Sequence, residues 1–239
     1  MLLAAAAGCG GDSQAPSLDE IAEPAGAAAA PAAALTFRRV ASYDSHTCGV
    51  TTDDLAYCWG YNFAGQLGDG TTTERPAPAA VSGGLRFRAV SPGISHTCGL
   101  TTDDQAYCWG ENAEGQLGDG STTSSTTPVA VASKRRFRQL SAGAGHTCGV
   151  TFTDRALCWG SNASGALGDG TRSSRTRPGR VKGPDLLFAE VSAGEDYTCA
   201  VDMDGGAHCW GTNNDGQLGD GTQDTERLTP VPVVGEHRF

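Results

Sequence analysis

Short apolar runs alternate with turns along most of the chain, and no long run follows a helical period. Residues 87–91 (FRAVS), 96–100 (HTCGL) and 106–110 (AYCWG) are three such runs in succession. The segment TTDDQ separates the second run from the third and has the length of a hairpin loop. The pattern therefore predicts consecutive short strands, two of which form a hairpin.

A fourth strand is predicted near Val131, where an apolar run follows Pro128. Because proline cannot donate a ladder hydrogen bond, its position suits an edge strand. In the first strand, Phe87 and Val90 are three residues apart, which breaks strict alternation and predicts a β-bulge. Prolines equivalent to Pro128 are Pro78, Pro178 and Pro230.

The hairpin places its cysteines opposite each other. Pairing Cys48 with Cys58 puts both side chains on one face, and the next aligned pair, Val50 and Ala56, lies on that same face. Trp59 then projects from the other face, so both faces are apolar, as expected for units that stack face to face. Directly opposed cysteines are close enough to bridge. We therefore predict four disulfides: Cys48–Cys58, Cys98–Cys108, Cys148–Cys158 and Cys199–Cys209.

The whole pattern recurs at intervals of 50 or 51 residues. The string CWGYNFAGQLGDGT, which begins at Cys58, returns with few changes from Cys108, Cys158 and Cys209. A phenylalanine recurs at the same rhythm, as Phe37, Phe87, Phe137, Phe188 and Phe239. Self-similarity at this period indicates a solenoid, a propeller or an array, and the glycines inside every unit disfavour helical repeats.

The segment HTCGLTTDDQAYCWGENAEGQLGDGS resembles the repeat of the regulator of chromosome condensation family. A His-Thr-Cys strand, a Cys-Trp-Gly strand and the turn Asn-x-x-Gly-Gln-Leu-Gly carry the resemblance. It implies an all-β fold, namely a β-propeller of four-stranded blades of about fifty residues, commonly about seven in number. It also implies that the chain is related to bacterial proteins that are exported.

Four repeats are present, at 37–86, 87–136, 137–187 and 188–238 within the region 37–239. A propeller must close to hide its terminal edges. We therefore expect a fragment of a longer propeller, or an incomplete, open arc that self-associates with another copy. An unusually small ring is the remaining alternative.

The motif that follows Cys-Trp-Gly in each repeat predicts a tight turn, which forms a corner of the blade. The tryptophans are expected to fill the space between neighbouring blades, and Asn62, Gly65 and Gln66 to hold a tight turn through backbone contacts. The Gly-Asp-Gly step offers positive φ and an aspartate that can bond its own backbone. The four core tryptophans are Trp59, Trp109, Trp159 and Trp210.

The N-terminus predicts export. Residues 1–9 resemble a bacterial lipoprotein signal, with a short apolar run, small residues and then Cys9 as the acylation site, although no Lys or Arg precedes the run. Residues 10–36 are rich in Ala and Pro and are expected to be a disordered tether. These features predict a lipid-anchored protein of the bacterial cell envelope, which contacts the membrane only through its acyl chain.

The net charge excludes some classes of partner, and the cysteines indicate the compartment. The net charge of −10 argues against nucleic acid and anionic lipid as partners. Eight of the nine cysteines form evenly spaced pairs, which indicates a disulfide framework and an oxidising compartment.

The sequence predicts no metal site, no cofactor site and no catalytic site. His46, Cys48 and Cys58 cluster in the first hairpin, but their spacing is unlike that of zinc ligands, and Tyr197 replaces the histidine in the fourth repeat. GQLGDG lacks the order and the Lys of a phosphate loop. We expect no metal, no cofactor and no catalytic residue, and hence not an enzyme.

Candidate binding residues are those that differ between repeats. They fall before the histidine and after the Cys-Trp-Gly strand, where exposed aromatics are plausible interface anchors. They are Tyr43, Asp44, Tyr61, Phe63, Ile94, Glu111, Glu195 and Asp196.

These observations predict a non-enzymatic propeller scaffold that binds a protein partner through its varying loops. The resemblance implies two alternatives. One is guanine-nucleotide exchange on a small GTPase, as in the founding family members. The other is inhibition of a secreted enzyme such as a β-lactamase.

Overall fold

A computed structural model describes residues 34–183 and 186–235. The predicted acylation site Cys9, the signal, most of the predicted tether and Phe239 lie outside the described residues. Within the described part of the chain, no helical segment has the length and apolarity needed to cross a bilayer.

The described residues form four antiparallel sheets of four strands, and each sheet is one blade of a β-propeller. Within a blade, consecutive strands are hydrogen-bonded neighbours, so the order is a simple meander. The strands of the first two blades are β1 (Phe37–Tyr43), β2 (His46–Thr51), β3 (Ala56–Gly60), β4 (Arg75–Ala80), β5 (Phe87–Pro92), β6 (His96–Thr101), β7 (Ala106–Gly110) and β8 (Ser125–Ala130). Those of the last two are β9 (Phe137–Ala142), β10 (His146–Thr151), β11 (Ala156–Gly160), β12 (Arg175–Arg180), β13 (Phe188–Ala193), β14 (Tyr197–Asp202), β15 (Ala207–Gly211) and β16 (Arg227–Pro232).

The predicted hairpin register is confirmed. Cys48 pairs with Cys58 and Val50 with Ala56, and the same register recurs in all four blades. Each opposed cysteine pair is a disulfide, so the four predicted bridges are present. The predicted bulge in the first strand is also present, because the register shifts between Phe87 and Ala89.

The boundary predicted for the fourth strand was wrong. In the second blade this strand is β8, which contains Pro128 and ends before Val131. Val131 instead donates its backbone N–H to Ala106 and buries its side chain in the core. The edge prediction holds, because β8 pairs only with β7 within its sheet, so Pro128 has no second ladder to interrupt.

Neighbouring blades pack through two different faces. One face carries the disulfide, and we call it the Cys face; the other carries the tryptophan, and we call it the Trp face. The Cys face of the first blade packs on Phe87, Val90 and Trp109 of the second. The same arrangement recurs at the next two seams between blades. The core is therefore three copies of one interface.

The outer faces of the two terminal blades are uncovered. Val40 on the Trp face of the first blade is 54% exposed, whereas its equivalent Val90 is 6% exposed. Trp59 is half-buried, whereas the other three tryptophans are fully buried, so the prediction that every tryptophan fills a seam fails for Trp59. The described blades thus form an arc and not the small ring that was one alternative.

Candidate functional site

The loops that carry the predicted binding residues lie at one end of the arc. The β1–β2 and β3–β4 connections of a meander share an end, and the backbone N–H of Tyr61 donates to Ser45 O at 3.0 Å. The equivalent bond recurs in the other blades, from Glu111 to Ser95 and from Thr212 to Asp196, for example. We call this end the loop face. The opposite end, with the β2–β3 turns, is the hairpin face.

A hydrogen-bonded corner supports the loop face in every blade. Asn62, which is fully buried, accepts the N–H of Leu67 at 2.9 Å and donates to Thr73 O at 2.9 Å. Asp69 accepts the backbone N–H of Thr71 at 2.9 Å, as predicted for the Gly-Asp-Gly turn. Arg75 also pairs with Asp69, at 2.7 Å. The corner is rigid because one amide and one carboxylate satisfy several backbone groups.

Gly68 shows why the corner needs glycine. Its φ is +71°, and a Cβ at this position would lie 2.7 Å from Nε1 of Trp109 in the next blade. The indole N–H of Trp109 donates to Gln66 O at 2.9 Å. The motif therefore shapes its own turn and also receives the neighbouring tryptophan.

Buried histidines connect each blade to the next. His46 Nε2 lies 2.8 Å from Thr97 Oγ1, and the Thr97 hydroxyl donates its only proton to Gln66 O. Nε2 must therefore be the donor. Burial lowers the pKa of His46 to about 4 and that of His96 to about 3, so the rings are neutral near pH 7. His146 repeats the arrangement with Thr198.

Arginines near the start of the first strand in a blade form a second connection between neighbouring blades. The sequence analysis missed this connection. Arg88 donates to Phe137 O in the next blade at 3.0 Å and pairs with Asp104 at 2.6 Å. Arg38 and Arg138 make equivalent contacts. Recurrence of arginine directly after the repeat phenylalanine was the available signal.

Four of the predicted binding residues influence one another electrostatically across the inner rim of the loop face. The hydroxyl of half-buried Tyr43 is within electrostatic range of Asp44 and of Glu195 and Asp196 from the fourth blade. Burial and these acidic groups raise the pKa of Tyr43, so it remains a neutral hydrogen-bond donor. Asp44, Glu195 and Asp196 are exposed and make no ion pair among the described residues. Tyr197 of the fourth blade also lies near this group.

Tyr61 and Phe63 form an exposed aromatic pair on the same face. Their rings stack with centroids 6.2 Å apart and an interplanar angle of 15°. Phe63 is 77% exposed and Tyr61 is 40% exposed, so neither packs into a seam. Glu111, half-buried, occupies the position of Tyr61 in the second blade.

Ile94 differs from the other predicted binding residues. Its backbone N–H donates to Gly143 O of the third blade at 3.2 Å, and its side chain is half-buried. The equivalent Ala144 makes the same bond to Gly194. Ile94 thus joins two inner loops, whereas the sequence alone suggested only a contact residue.

One polar pair breaks the repeat pattern on the hairpin face. His208 Nε2 lies 2.8 Å from Asp202 Oδ2, and Asp202 also accepts the N–H groups of Asp204 and Gly206. The other blades have threonine at the Asp202 position and Tyr or Leu at the His208 position. These bonds order the β14–β15 turn, so the pair has a structural role.

Comparison with known protein families finds the same sequence repeat, in phase with the four blades. The family model described as "Regulator of chromosome condensation (RCC1) repeat" matches residues 53–100, 103–150, 154–201 and 204–238. A second model with that description matches 37–66, 87–116, 137–166 and 188–217. No curated protein matches the sequence significantly.

Several solved structures share the fold. Human WBSCR16 superposes with a TM-score of 0.76 at 20% identity, over 83% of this chain and 53% of that one. Yeast RCC1 (Prp20), solved bound to Kap60, has a TM-score of 0.74 at 20% identity, over 84% and 49%. Prp20p from Saccharomyces cerevisiae, described with its binding properties to Gsp1p and histones, gives 0.72 at 20% identity, over 84% and 51%.

The present chain spans about half the length of these structures. At this identity, the likeness supports the propeller fold and does not identify an activity. The sequence models cover most of the chain in four consecutive copies, in phase with the four blades. The chain belongs to the family of proteins built from regulator of chromosome condensation (RCC1) repeats.

Proposed function

We propose that this protein is a non-enzymatic binding module that holds a protein partner on its loop face. The observation that carries the proposal is the stacked pair of Tyr61 and Phe63, exposed beside a rim where the repeats differ. Rigid, exposed aromatics are the side chains that most often anchor protein interfaces. The corners beneath them are fixed by hydrogen bonds, so little ordering is needed on binding.

The charges of the loop face favour a partner that presents a basic surface. Asp44, Glu195 and Asp196 lie at the inner rim without ion pairs among the described residues, and Glu111 occupies the position of Tyr61 in the neighbouring blade. Unpaired carboxylates attract complementary charge and accelerate encounter in a salt-dependent way. The corner aspartates Asp69, Asp169 and Asp220 are already paired with arginine and contribute less.

The four disulfides indicate a non-reducing, extracellular environment. We propose that the chain reaches it by export and is held at a bacterial membrane by acylation of Cys9. Metabolic labelling with a fatty-acid analogue tests this step. We expect label on the wild type and none on a Cys9→Ser variant, and equal label on both would refute the anchor.

Guanine-nucleotide exchange is the second candidate, favoured by the fold similarity to yeast Prp20. Prp20p is described with its binding properties to Gsp1p, but the four disulfides here disfavour a partner in a reducing compartment. Release of labelled GDP from small GTPases tests this candidate. Accelerated release would establish exchange and displace the first proposal.

The binding proposal is tested by cross-linking capture from a bacterial envelope extract, with the oxidised protein as bait. We expect one saturable partner on the wild type and a loss of at least about tenfold on Tyr61→Ala/Phe63→Ala, since interface anchors contribute about 2 kcal/mol or more. Undiminished capture by the variant, or no saturable partner on a folded bait, would contradict the proposal.

A further inference from the structure

A hollow opens on the hairpin face of the second blade, beside the connection from β8 to β9. Its volume is about 200 Å³, whereas the equivalent hollow of the third blade measures about 10 Å³. Three buried apolar residues and three exposed cations are among the residues that line it, namely Ala106, Val131 and Phe137, and Lys134, Arg135 and Arg136. The hollow therefore combines an apolar floor with a basic rim.

The hollow exists because one residue departs from the repeat. Leu85 in the first blade and Leu186 in the third lie two residues before the repeat phenylalanine, and both pack against the buried cluster of a seam. Arg135 occupies this position in the second blade and is exposed. In the third blade, Arg180 also takes the place of the small Ala130. The second blade thus lacks the leucine of its two neighbours, and the space stays open.

The loop that carries the three cations is held by its own backbone. The N–H groups of Val131 and Phe137 donate to carbonyl groups of the preceding hairpin at 3.0 and 3.2 Å, which fixes both ends of the loop. Between them, the N–H of Ser133 donates to Val131 O at 2.7 Å, and its hydroxyl accepts the N–H of Arg135 at 3.0 Å. The hollow is consequently preformed, and a ligand need not order the loop.

The charges at the rim are not balanced. Lys134 and Arg135 form no ion pair within the described part of the chain, and Arg136 lies 3.5 Å from Asp103. More than half of each side chain in that pair is exposed, so the pair is weak. The neighbouring Asp104 is already paired with an arginine of β5. The rim is therefore positive, although the net charge of the whole chain is −10.

We propose that this hollow binds a small aliphatic carboxylate whose branched apolar body has about the size of a leucine side chain. The body occupies the space that the leucine leaves open, over Val131 and Phe137. The carboxylate accepts hydrogen bonds from Arg135 at the rim, because a guanidinium can bind both carboxylate oxygens. Lys134 adds a second positive charge. The site lies at the opposite end of the blades from the loop face, so it does not rest on the proposed function.

Amide chemical shifts of the isotope-labelled, oxidised chain test the proposal, with isocaproate as the probe. We expect saturable shifts at residues 131–137 with a dissociation constant of about 1 mM, a value within reach of a ligand with so few atoms. The equivalent loop 81–87, which keeps its leucine, is the internal control and should not shift. Acetate lacks the body, isocaproamide lacks the charge and inorganic phosphate lacks the body, so each should bind at least about tenfold more weakly.

Two sources could supply this chemistry, and N-acetyl-leucine distinguishes them. Tighter binding of N-acetyl-leucine than of isocaproate would support the site and assign it to the C-terminal residue of a peptide. Tighter binding of isocaproate would support the site and assign it to a free acid.

Substitutions at the departing residue separate the hollow from the charge. Arg135→Leu restores the side chain of the neighbouring blades, so it should weaken binding at least about tenfold and raise the Tm by about 2 °C or more. Arg135→Gln removes the charge and leaves the hollow open, so it should weaken binding about threefold or more. Arg39→Leu removes an exposed arginine from the first blade and is the matched control, which should bind as the wild type does.

Three results would overturn the proposal. They are the absence of saturable shifts at 131–137 up to about 20 mM isocaproate, equal binding of acetate or isocaproamide, and unchanged binding by Arg135→Leu. Failure of the loop face to capture a partner would leave these titrations unaffected, so the two proposals fail separately.

Discussion

The seams between blades and the loop face use aromatic residues in opposite ways. Trp109 in a seam is fully buried, donates a hydrogen bond to the preceding blade and recurs as Trp159 and Trp210. Phe63 on the loop face is 77% exposed and is replaced by Ala113 in the next repeat. The aromatic that repeats therefore holds the architecture, whereas the aromatic that does not repeat is available to a partner.

The same contrast holds for charged and polar groups. Arg88 and His96 recur because each must bond a fixed group in the next blade. Asp44, Glu195 and Asp196 differ from their counterparts in the other repeats, and they are not required to bond a fixed group in the next blade. In a chain of repeats, departures from the pattern on a rigid, exposed surface are consequently the strongest indication of function.

The largest expected effect on stability is at a seam tryptophan. Trp109→Ala should lower the free energy of unfolding by about 3–5 kcal/mol, because it leaves a cavity and removes the bond to Gln66 O. Trp59→Ala, at the uncovered face, should cost about 1 kcal/mol or less in the monomer. Urea unfolding of dilute, oxidised protein measures both. Equal losses would contradict the distinction between covered and uncovered faces.

The disulfides should come next. Cys98→Ala/Cys108→Ala should lower the free energy of unfolding by about 2–3 kcal/mol, since the bridge restricts the unfolded chain. Cys9→Ser, outside the described residues, serves as the control for loss of a cysteine and should leave stability unchanged. Thermal unfolding by calorimetry compares the three proteins. A double variant as stable as the wild type would show that the hairpin needs no bridge.

The buried histidines should make the seams sensitive to acid. Because the pKa of His96 falls from about 6.5 unfolded to about 3 folded, the neutral ring's contribution is fully present above pH 6.5. This contribution to the free energy of unfolding is lost as the pH falls from 6.5 toward 3. Each histidine loses about 1.4 kcal/mol for every pH unit. His96→Gln should flatten the acid limb of the stability curve by that amount. Unchanged slopes in urea titrations across this window would refute the role.

The smallest effect on stability is expected on the loop face. Glu195→Gln/Asp196→Asn should change the free energy of unfolding by no more than about 0.5 kcal/mol, since both groups are exposed and unpaired. Capture of a basic partner should nevertheless weaken and become less dependent on salt. A stability loss comparable to that at a seam would show that the acidic rim is structural.

The sequence predicted the architecture well because its signals are local or periodic. Cys48 and Cys58 share a hairpin, so their pairing follows from strand geometry, and the period identifies the blade. The fourth strand was placed too late because proline at an open edge does not end a strand, as Pro128 shows. The arginine and histidine connections were missed because their partners lie about fifty residues away, and each residue looks like a surface group within its own repeat.

The loop face was only partly predictable. The positions that vary were identified, and a meander places their loops at one end. The neighbourhood of Tyr43 and Glu195 could not be predicted, because they come from the first and fourth blades and meet only through the curvature of the arc. The structural part played by Ile94 also depends on that curvature, since its bond reaches the third blade.

The most direct test compares two exposed phenylalanines at opposite ends of the arc. Phe63 lies on the loop face and Phe152, which is 58% exposed, lies on the hairpin face. Partner affinity would be measured by titration for the wild type, Phe63→Ala and Phe152→Ala, each verified as folded. The account predicts at least about a tenfold loss for Phe63→Ala and none for Phe152→Ala. Unchanged binding by Phe63→Ala with a loss for Phe152→Ala would contradict it and assign the partner to the hairpin face.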